Sequence, residues 1–183
     1  MEICYLNIMK LNLFSVPIFI ANIDLEKLKI KNGSFKETWL SETISSHAEG
    51  DGIDKESSDY LLTLISKKLI SEFKKPFKIN LTHLWENHYE NNDFQERHTH
   101  PQSHFSFIIY KKVDKSNTVF FNPAEDLISS YYNSSGLNMF DTNFMPECRE
   151  GQIIIFPSFL GHMVKKSNNS QTISGNVILE MLK

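Results

Sequence analysis

Three histidines fall within one seven-residue segment, His98-Thr99-His100-Pro101-Gln102-Ser103-His104. If this segment runs as a strand, side chains at i and i+2 share a face, so His98 and His100 present two imidazoles to one metal ion. A third ligand must come from elsewhere in the chain. His162 is the best placed, because Gly151-Gln152-Ile153-Ile154-Ile155-Phe156-Pro157 reads as a buried strand ending in a turn and His162 opens the next strand. An ion held on one face by three side chains keeps positions open for a bidentate co-substrate and dioxygen, the arrangement that non-haem iron oxygenation uses. Imidazole serves Fe, Zn, Ni and Cu alike, so the histidines alone do not select the metal. Taken by itself the His-x-His pair is a weak motif.

The elements that must position these side chains are mainly strands. Ile79, Leu81, His83, Trp85, Asn87 and Tyr89 alternate with their neighbours at period 2. Further short β-prone runs are 105–113, 118–121, 152–156, 162–165 and 172–182, separated by Asn, Ser, Pro and Gly clusters. Many short strands at such spacing predict a sandwich or jelly roll. One strong helix is expected over 58–73, where Leu61, Leu62, Leu64, Ile65, Leu69, Ile70 and Phe73 recur at helical spacing and Ser58 stands as the N-cap. The run 11–23, LNLFSVPIFIANI, reads as an N-terminal edge strand marked by Pro17. Residues 30–57 read as a surface connection with one short helix at most, and 122–150 as a long connection with little pattern.

Composition narrows the function. Of 183 residues, 40% are hydrophobic and 22% charged, which suits one domain with a real core. The net charge of −3 lacks the basic excess that a phosphate backbone demands, so no nucleic-acid partner is expected. The apolar run near the N-terminus is 13 residues, shorter than the roughly 20 of a membrane helix, and no membrane partner is expected. Two cysteines, Cys4 and Cys148, make no disulfide framework or zinc spacing, and a reducing, cytoplasmic setting is expected. Ser106 and Ser174 sit in no nucleophile motif, which sets hydrolase chemistry aside.

The order of motifs resembles a known family, the small bacteriophage and bacterial oxygenases of the double-stranded β-helix superfamily that depend on Fe(II) and 2-oxoglutarate and are prolyl-hydroxylase-like. The resemblance runs from Trp85-Glu86-Asn87 through His98-Thr99-His100-Pro101, Phe105-Ser106, Ile109-Tyr110 and Phe120-Phe121-Asn122-Pro123. It continues through Gly151 to Ser158, Leu160-Gly161-His162, Ile173-Ser174 and Asn176. It implies a mainly β fold, a double-stranded β-helix (jelly roll, cupin-like) with one or more supporting α-helices. The whole chain, 1–183, would be a single domain, with 79–178 as the core that carries the metal motif.

By the same resemblance His98, His100 and His162 would bind Fe(II), and Tyr110, Thr172 and Ser174 would lie near 2-oxoglutarate. Better-known relatives carry a carboxylate where this chain has His100, and an arginine about ten residues past the distal histidine, where this chain has Thr172. A lysine could substitute for it as a point charge on the far carboxylate of 2-oxoglutarate. Lys111 and Lys112 lie on the strand that could supply it, only one of them pointing inward, and Lys165 is a third candidate. The implied activity is hydroxylation of a small molecule or a protein side chain. Two alternatives stay open: a three-histidine cupin-type metalloenzyme that takes no 2-oxoglutarate, and a catalytically inactive jelly-roll binding module. His104 is expected to face outward or to support the site, His47, His83 and His88 to be structural or exposed, and Trp85 to belong to the core.

Overall fold

The computed structural model describes residues 15–30, 36–37, 44–45, 52–113 and 116–182, with 36–37 and 44–45 described by their backbone alone. Cys4, His47 and the first residues of the expected N-terminal strand lie outside these.

Alternation along one strand decides the layering. In β6, Phe105–Lys112, Phe105, Phe107 and Ile109 join one apolar cluster, while Ile108 and Tyr110 join a second with Phe120, Phe156 and Leu160. The neighbouring β9, Gln152–Pro157, divides in the same way, Ile153 and Ile155 to the first cluster and Ile154 and Phe156 to the second. A strand that buries both faces must lie between two layers. One layer is helix α1, Lys55–Phe73, whose Leu61, Ile65 and Leu69 are fully buried in the first cluster. Burying each such side chain contributes about 1.5–3 kcal/mol.

The other layer is a second sheet. Five further strands complete the seven-stranded sheet: β1 (Phe19–Asn22), β2 (Lys36–Glu37), β3 (Ile44–Ser45), β4 (Phe77–Tyr89) and β11 (Ser170–Met181), in the order β1-β9-β6-β11-β4-β3-β2. The smaller sheet holds β5 (Asp93–His98), β10 (His162–Ser167), β7 (Thr118–Phe121) and β8 (Asn143–Phe144), in the order β5-β10-β7-β8. Every pairing within both sheets is antiparallel. The expected jelly roll with a supporting helix is therefore the observed architecture.

Several local expectations are corrected. The helix begins at Lys55 because Asp54, not Ser58, caps it: Asp54 Oδ1 accepts from the Ser57 N–H at 2.8 Å, and the Ser58 N–H makes an ordinary helical bond to the Asp54 carbonyl at 3.0 Å. β1 starts two residues after Pro17 and holds the sheet edge against β9. The stretch 30–57 contributes β2 and β3, whereas a 3-10 turn lies earlier, at Leu25–Lys27. The connection 122–150 carries helix α2, Glu125–Tyr131, a 3-10 turn at Asn133–Ser135, and β8.

β5 has no counterpart in the sequence reading. It is a polar edge strand, DFQERH, that pairs only with β10 and buries no apolar stripe. A signal for it does exist in the turn before it. Asn91 and Asn92 have φ of 56° and 68°, and the Asp93 N–H donates to the Glu90 carbonyl at 2.9 Å. A two-residue hairpin with both central residues at positive φ favours Asn, so Asn91-Asn92 after β4 marks a reversal into another strand.

Candidate metal centre

His98 and His162 meet because they are cross-strand partners. His98 ends β5, His162 opens β10, and the two are opposite each other in the antiparallel register, which places their rings on one face with centroids 4.3 Å apart. His100 arrives differently. It lies beyond the end of β5, not on the strand, so the i, i+2 argument does not place it. Its N–H donates to the Ser158 carbonyl at 3.0 Å, and the Ser158 N–H donates to the His104 carbonyl at 3.1 Å, pinning the loop to the end of β9. The His100 ring stands 5.0 Å from His98, 5.1 Å from His162 and 5.5 Å from Trp85.

One ligand atom from each imidazole lies within 4.8 Å of the others. The donor chemistry fits a divalent transition metal. His98 Nδ1 bonds the Glu96 carbonyl at 2.7 Å and His162 Nδ1 bonds the Leu160 carbonyl at 3.0 Å. A carbonyl only accepts, so each Nδ1 carries the proton and each Nε2 keeps a lone pair for a metal. Burial pushes the His162 pKa well below the usual imidazole value, and the neighbouring His98 and His100 push it the same way. Burial also lowers that of His98. Both effects favour the neutral, ligating form. Phe156 at 4.8 Å and Phe120 at 6.0 Å wall the His162 ring, which is 3% exposed.

A cavity opens from the histidines between the two sheets. Tyr110, Thr172 and Ser174 line it. Ser174 is level with Trp85 and Ile108 in the register, and Thr172 lies two residues further along β11, level with Asn87 and Tyr110. The Tyr110 hydroxyl is 2.9 Å from Thr118 Oγ1 and accepts from Ser116 Oγ at 3.2 Å. Asn87 Nδ2 donates to Thr172 Oγ1 at 3.4 Å and Ser174 Oγ at 3.3 Å. Burial holds the Tyr110 and Tyr89 phenols far above their usual pKa, so both remain neutral hydroxyls.

The lysines do not join this group. Lys111 shares strand parity with Phe107 and Ile109, and its ammonium donates to Glu86 Oε1 at 2.6 Å on the sheet face away from the histidines. Lys112 has the parity of Tyr110 but lies exposed at the end of β6, bonded to Asn169 Oδ1 at 2.6 Å. Lys165 is exposed. His104 stands outside the three-histidine group, its Nδ1 accepting from the Leu179 N–H at 2.8 Å. Trp85 is buried, as expected of a core residue, but it also walls the cavity. Tyr89, Gln95 and Thr118 are lining residues that sequence reasoning passed over. The period-2 alternation through Trp85, Asn87 and Tyr89 was the signal for Tyr89.

Two antiparallel sheets closed around a three-histidine group define a metal-dependent enzyme of the double-stranded β-helix class. Residues 83–174, half of the chain and the part containing all three histidines, match the family described as "Putative 2OG-Fe(II) oxygenase", and the chain belongs to that family. It is an Fe(II)- and 2-oxoglutarate-dependent oxygenase. HygX from Streptomyces hygroscopicus, solved with nickel, 2-oxoglutarate and hygromycin B bound, is similar with a TM-score of 0.54 and 9% identity, over 88% of this chain and 82% of that one. A prolyl hydroxylase from Trichoplax adhaerens, in complex with a hypoxia inducible factor peptide fragment, gives 0.51 and 12% over 88% and 83%. A prolyl-4-hydroxylase from Pseudomonas putida gives 0.50 and 12% over 81% and 76%. At such identities the likeness is one of fold. No curated protein matches the sequence.

Proposed function

We propose that His98, His100 and His162 are the iron ligands, that Tyr110, Thr172 and Ser174 face 2-oxoglutarate, and that the enzyme hydroxylates a small molecule or a protein side chain. The observation that carries this reading is the convergence of the three imidazoles, two of them with Nδ1 tied to backbone carbonyls, which leaves Nε2 to ligate. Bound there, Fe(II) with 2-oxoglutarate and dioxygen supplies the oxidising power for a C–H hydroxylation, with succinate and carbon dioxide as co-products. The chain's own part is to hold the rings, to exclude water with Trp85, Phe120 and Phe156, and to offer neutral hydroxyl donors further along the cavity.

Substrate reaches the centre along a groove beside His98 that is lined by Arg97, Thr99, Phe121, Pro123, Phe159 and Gly161. Arg97 is fastened in its wall, stacked 4.1 Å over the Phe121 ring and paired with Glu125 at 2.5 Å. The bound hygromycin B and the peptide fragment in the two similar structures support both substrate classes. In this reading residues 1–183 act as one domain in the cytoplasm; the buried free thiol of Cys148 accords with a reducing setting. No described helix is long and apolar enough to cross a membrane.

The test is anaerobic titration of Fe(II), then 2-oxoglutarate, into the protein and its His98→Ala, His100→Ala and His162→Ala variants. Wild type should bind one iron and develop the visible charge-transfer band of a chelated keto acid. The variants should keep their circular dichroism and lose the band. Iron held without a band would favour the cupin-type alternative, and tight iron binding by His162→Ala would overturn the ligand assignment.

A further inference from the structure

Two of the three histidines are oriented from one short piece of backbone just beyond β9. The Ser158 carbonyl accepts from the His100 N–H at 3.0 Å, and the Leu160 carbonyl, two residues on, accepts from His162 Nδ1 at 3.0 Å. The Leu160 N–H donates to the Pro157 carbonyl at 2.9 Å and closes the turn between them. The Ser158 side chain is fully buried and begins a row of hydrogen bonds across three strands. Its Oγ lies 2.8 Å from Ser106 Oγ on β6, and Ser106 Oγ donates to Asn176 Oδ1 on β11 at 2.8 Å. An amide oxygen only accepts, and a hydroxyl has one proton to give. Ser106 therefore gives its proton to Asn176 and receives one from Ser158. Ser106 and Asn176 are direct cross-strand partners, both buried, and the Asn176 carbonyl accepts in turn from Thr82 Oγ1 at 3.1 Å.

We propose that the row Ser158–Ser106–Asn176 positions the metal centre, with Ser106 as the positioning residue that holds the Ser158 backbone and, through it, His100. The inference rests on the reading of the three histidines as the iron site. Its physical basis is the different way in which the ligands are held. His98 and His162 face each other in the register of β5 and β10, so the strand ladder orients them. His100 lies beyond β5, and its backbone is tied to Ser158 instead. A metal site tolerates displacements of about 0.5 Å in its ligands. Removing the Ser106 hydroxyl would take a partner from both Ser158 Oγ and Asn176 Oδ1 in a buried place. Such groups are costly to leave unpaired, so the end of β9 would shift to pair them again and carry the carbonyl that holds His100 with it.

The experiment titrates Co(II) into the metal-free full chain, reading the dissociation constant by competition with a chelator and the ligand-field spectrum in the visible. Ser106→Ala should stay folded, weaken Co(II) by about tenfold, and alter the spectrum. Tenfold is the lower end of the loss seen when a group bonded to a metal ligand is removed, as suits a residue that acts through Ser158. Ser158→Ala, which keeps the carbonyl but loses the hydroxyl, should do the same. Ser106→Cys, close to serine in size but a weak donor, stands in if the alanine variants do not fold. Ile65→Val is the control for stability alone, since Ile65 is buried under α1 in the other apolar cluster; it should leave Co(II) binding within about twofold and the spectrum unchanged. A folded Ser106 variant with wild-type affinity and spectrum would overturn the proposal. So would an equal loss of affinity in Ile65→Val, because the effect would then follow overall stability. Failure of the histidine reading looks different and removes the proposal with it: folded wild type would bind no Co(II), or His162→Ala would bind it as tightly as wild type.

Discussion

Gly175 is the residue whose replacement has the most calculable consequence. It lies in β11, between β4 and β6 in the large sheet, where it pairs with Leu84 and Phe107. Its φ is not left-handed, so space and not backbone freedom demands glycine there. A Cβ at this position would stand 2.4 Å from Phe107 Cζ, 2.8 Å from Phe107 Cε1 and 2.7 Å from the His83 carbonyl oxygen. Carbon atoms pack at about 3.5–4.0 Å, so the Phe107 ring must retreat by roughly an ångström. That ring is 1% exposed in the cluster beneath α1, and the His83 carbonyl can move only with β4, which is paired to β11 along most of its length. Overpacking of this kind costs about 1–3 kcal/mol, and with a backbone atom among the obstacles Gly175→Ala belongs at the upper end. For a domain of this size about 3 kcal/mol lowers Tm by roughly 6–12 °C. Urea and thermal unfolding followed by circular dichroism measure it, and Phe107→Leu in the same background should recover part of the loss. A Tm for Gly175→Ala within about 2 °C of wild type would refute the packing argument.

Two further predictions concern charges near the site. In the metal-free protein the folded His162 pKa lies below the unfolded value of about 6.5. Between those values the unfolded chain binds more protons, so stability is full above about pH 6.5 and falls as pH drops towards the folded value. Urea midpoints across this range should show that decline, and His162→Gln should flatten it without abolishing it, because the His98 pKa is lowered too; an unchanged slope would count against the buried neutral imidazole. Lys111→Met should destabilise the fold by about 1 kcal/mol, since Glu86 loses a 2.6 Å partner while keeping His88 at 3.1 Å, and the lysine side chain is 36% exposed and partly screened. The same variant should bind 2-oxoglutarate as wild type does; weakened binding at unchanged stability would mean that the lysine serves the cavity after all.

Much of the fold was legible because burial leaves a period in the chain. Phe105–Lys112 and Gln152–Pro157 bury both faces and read as apolar runs, and Leu61, Ile65 and Leu69 recur at helical spacing under a single layer. β5 left no such trace, because an edge strand with polar side chains owes its existence to hydrogen bonds with β10 alone. The start of α1 was misplaced for a related reason. Asp54 and Ser58 are both acceptable caps in the sequence, and only the path of the chain before the helix decided which side chain meets the first free N–H groups.

For the site, the chain by itself determined which residues have the chemistry: three imidazoles, a tyrosine and hydroxyls in the right order, and no arginine after Arg149. Side-chain type is a local property and is written residue by residue. Tertiary structure alone decided how they meet. His98 and His162 are neighbours through cross-strand register, and His100 through a loop tied to Ser158. Lys111 and Lys112 could not be assigned from the sequence, because whether a lysine on β6 reaches the cavity depends on strand parity, on where the strand ends, and on the partner that captures its ammonium. Glu86 and Asn169, each more than 20 residues away along the chain, made that decision.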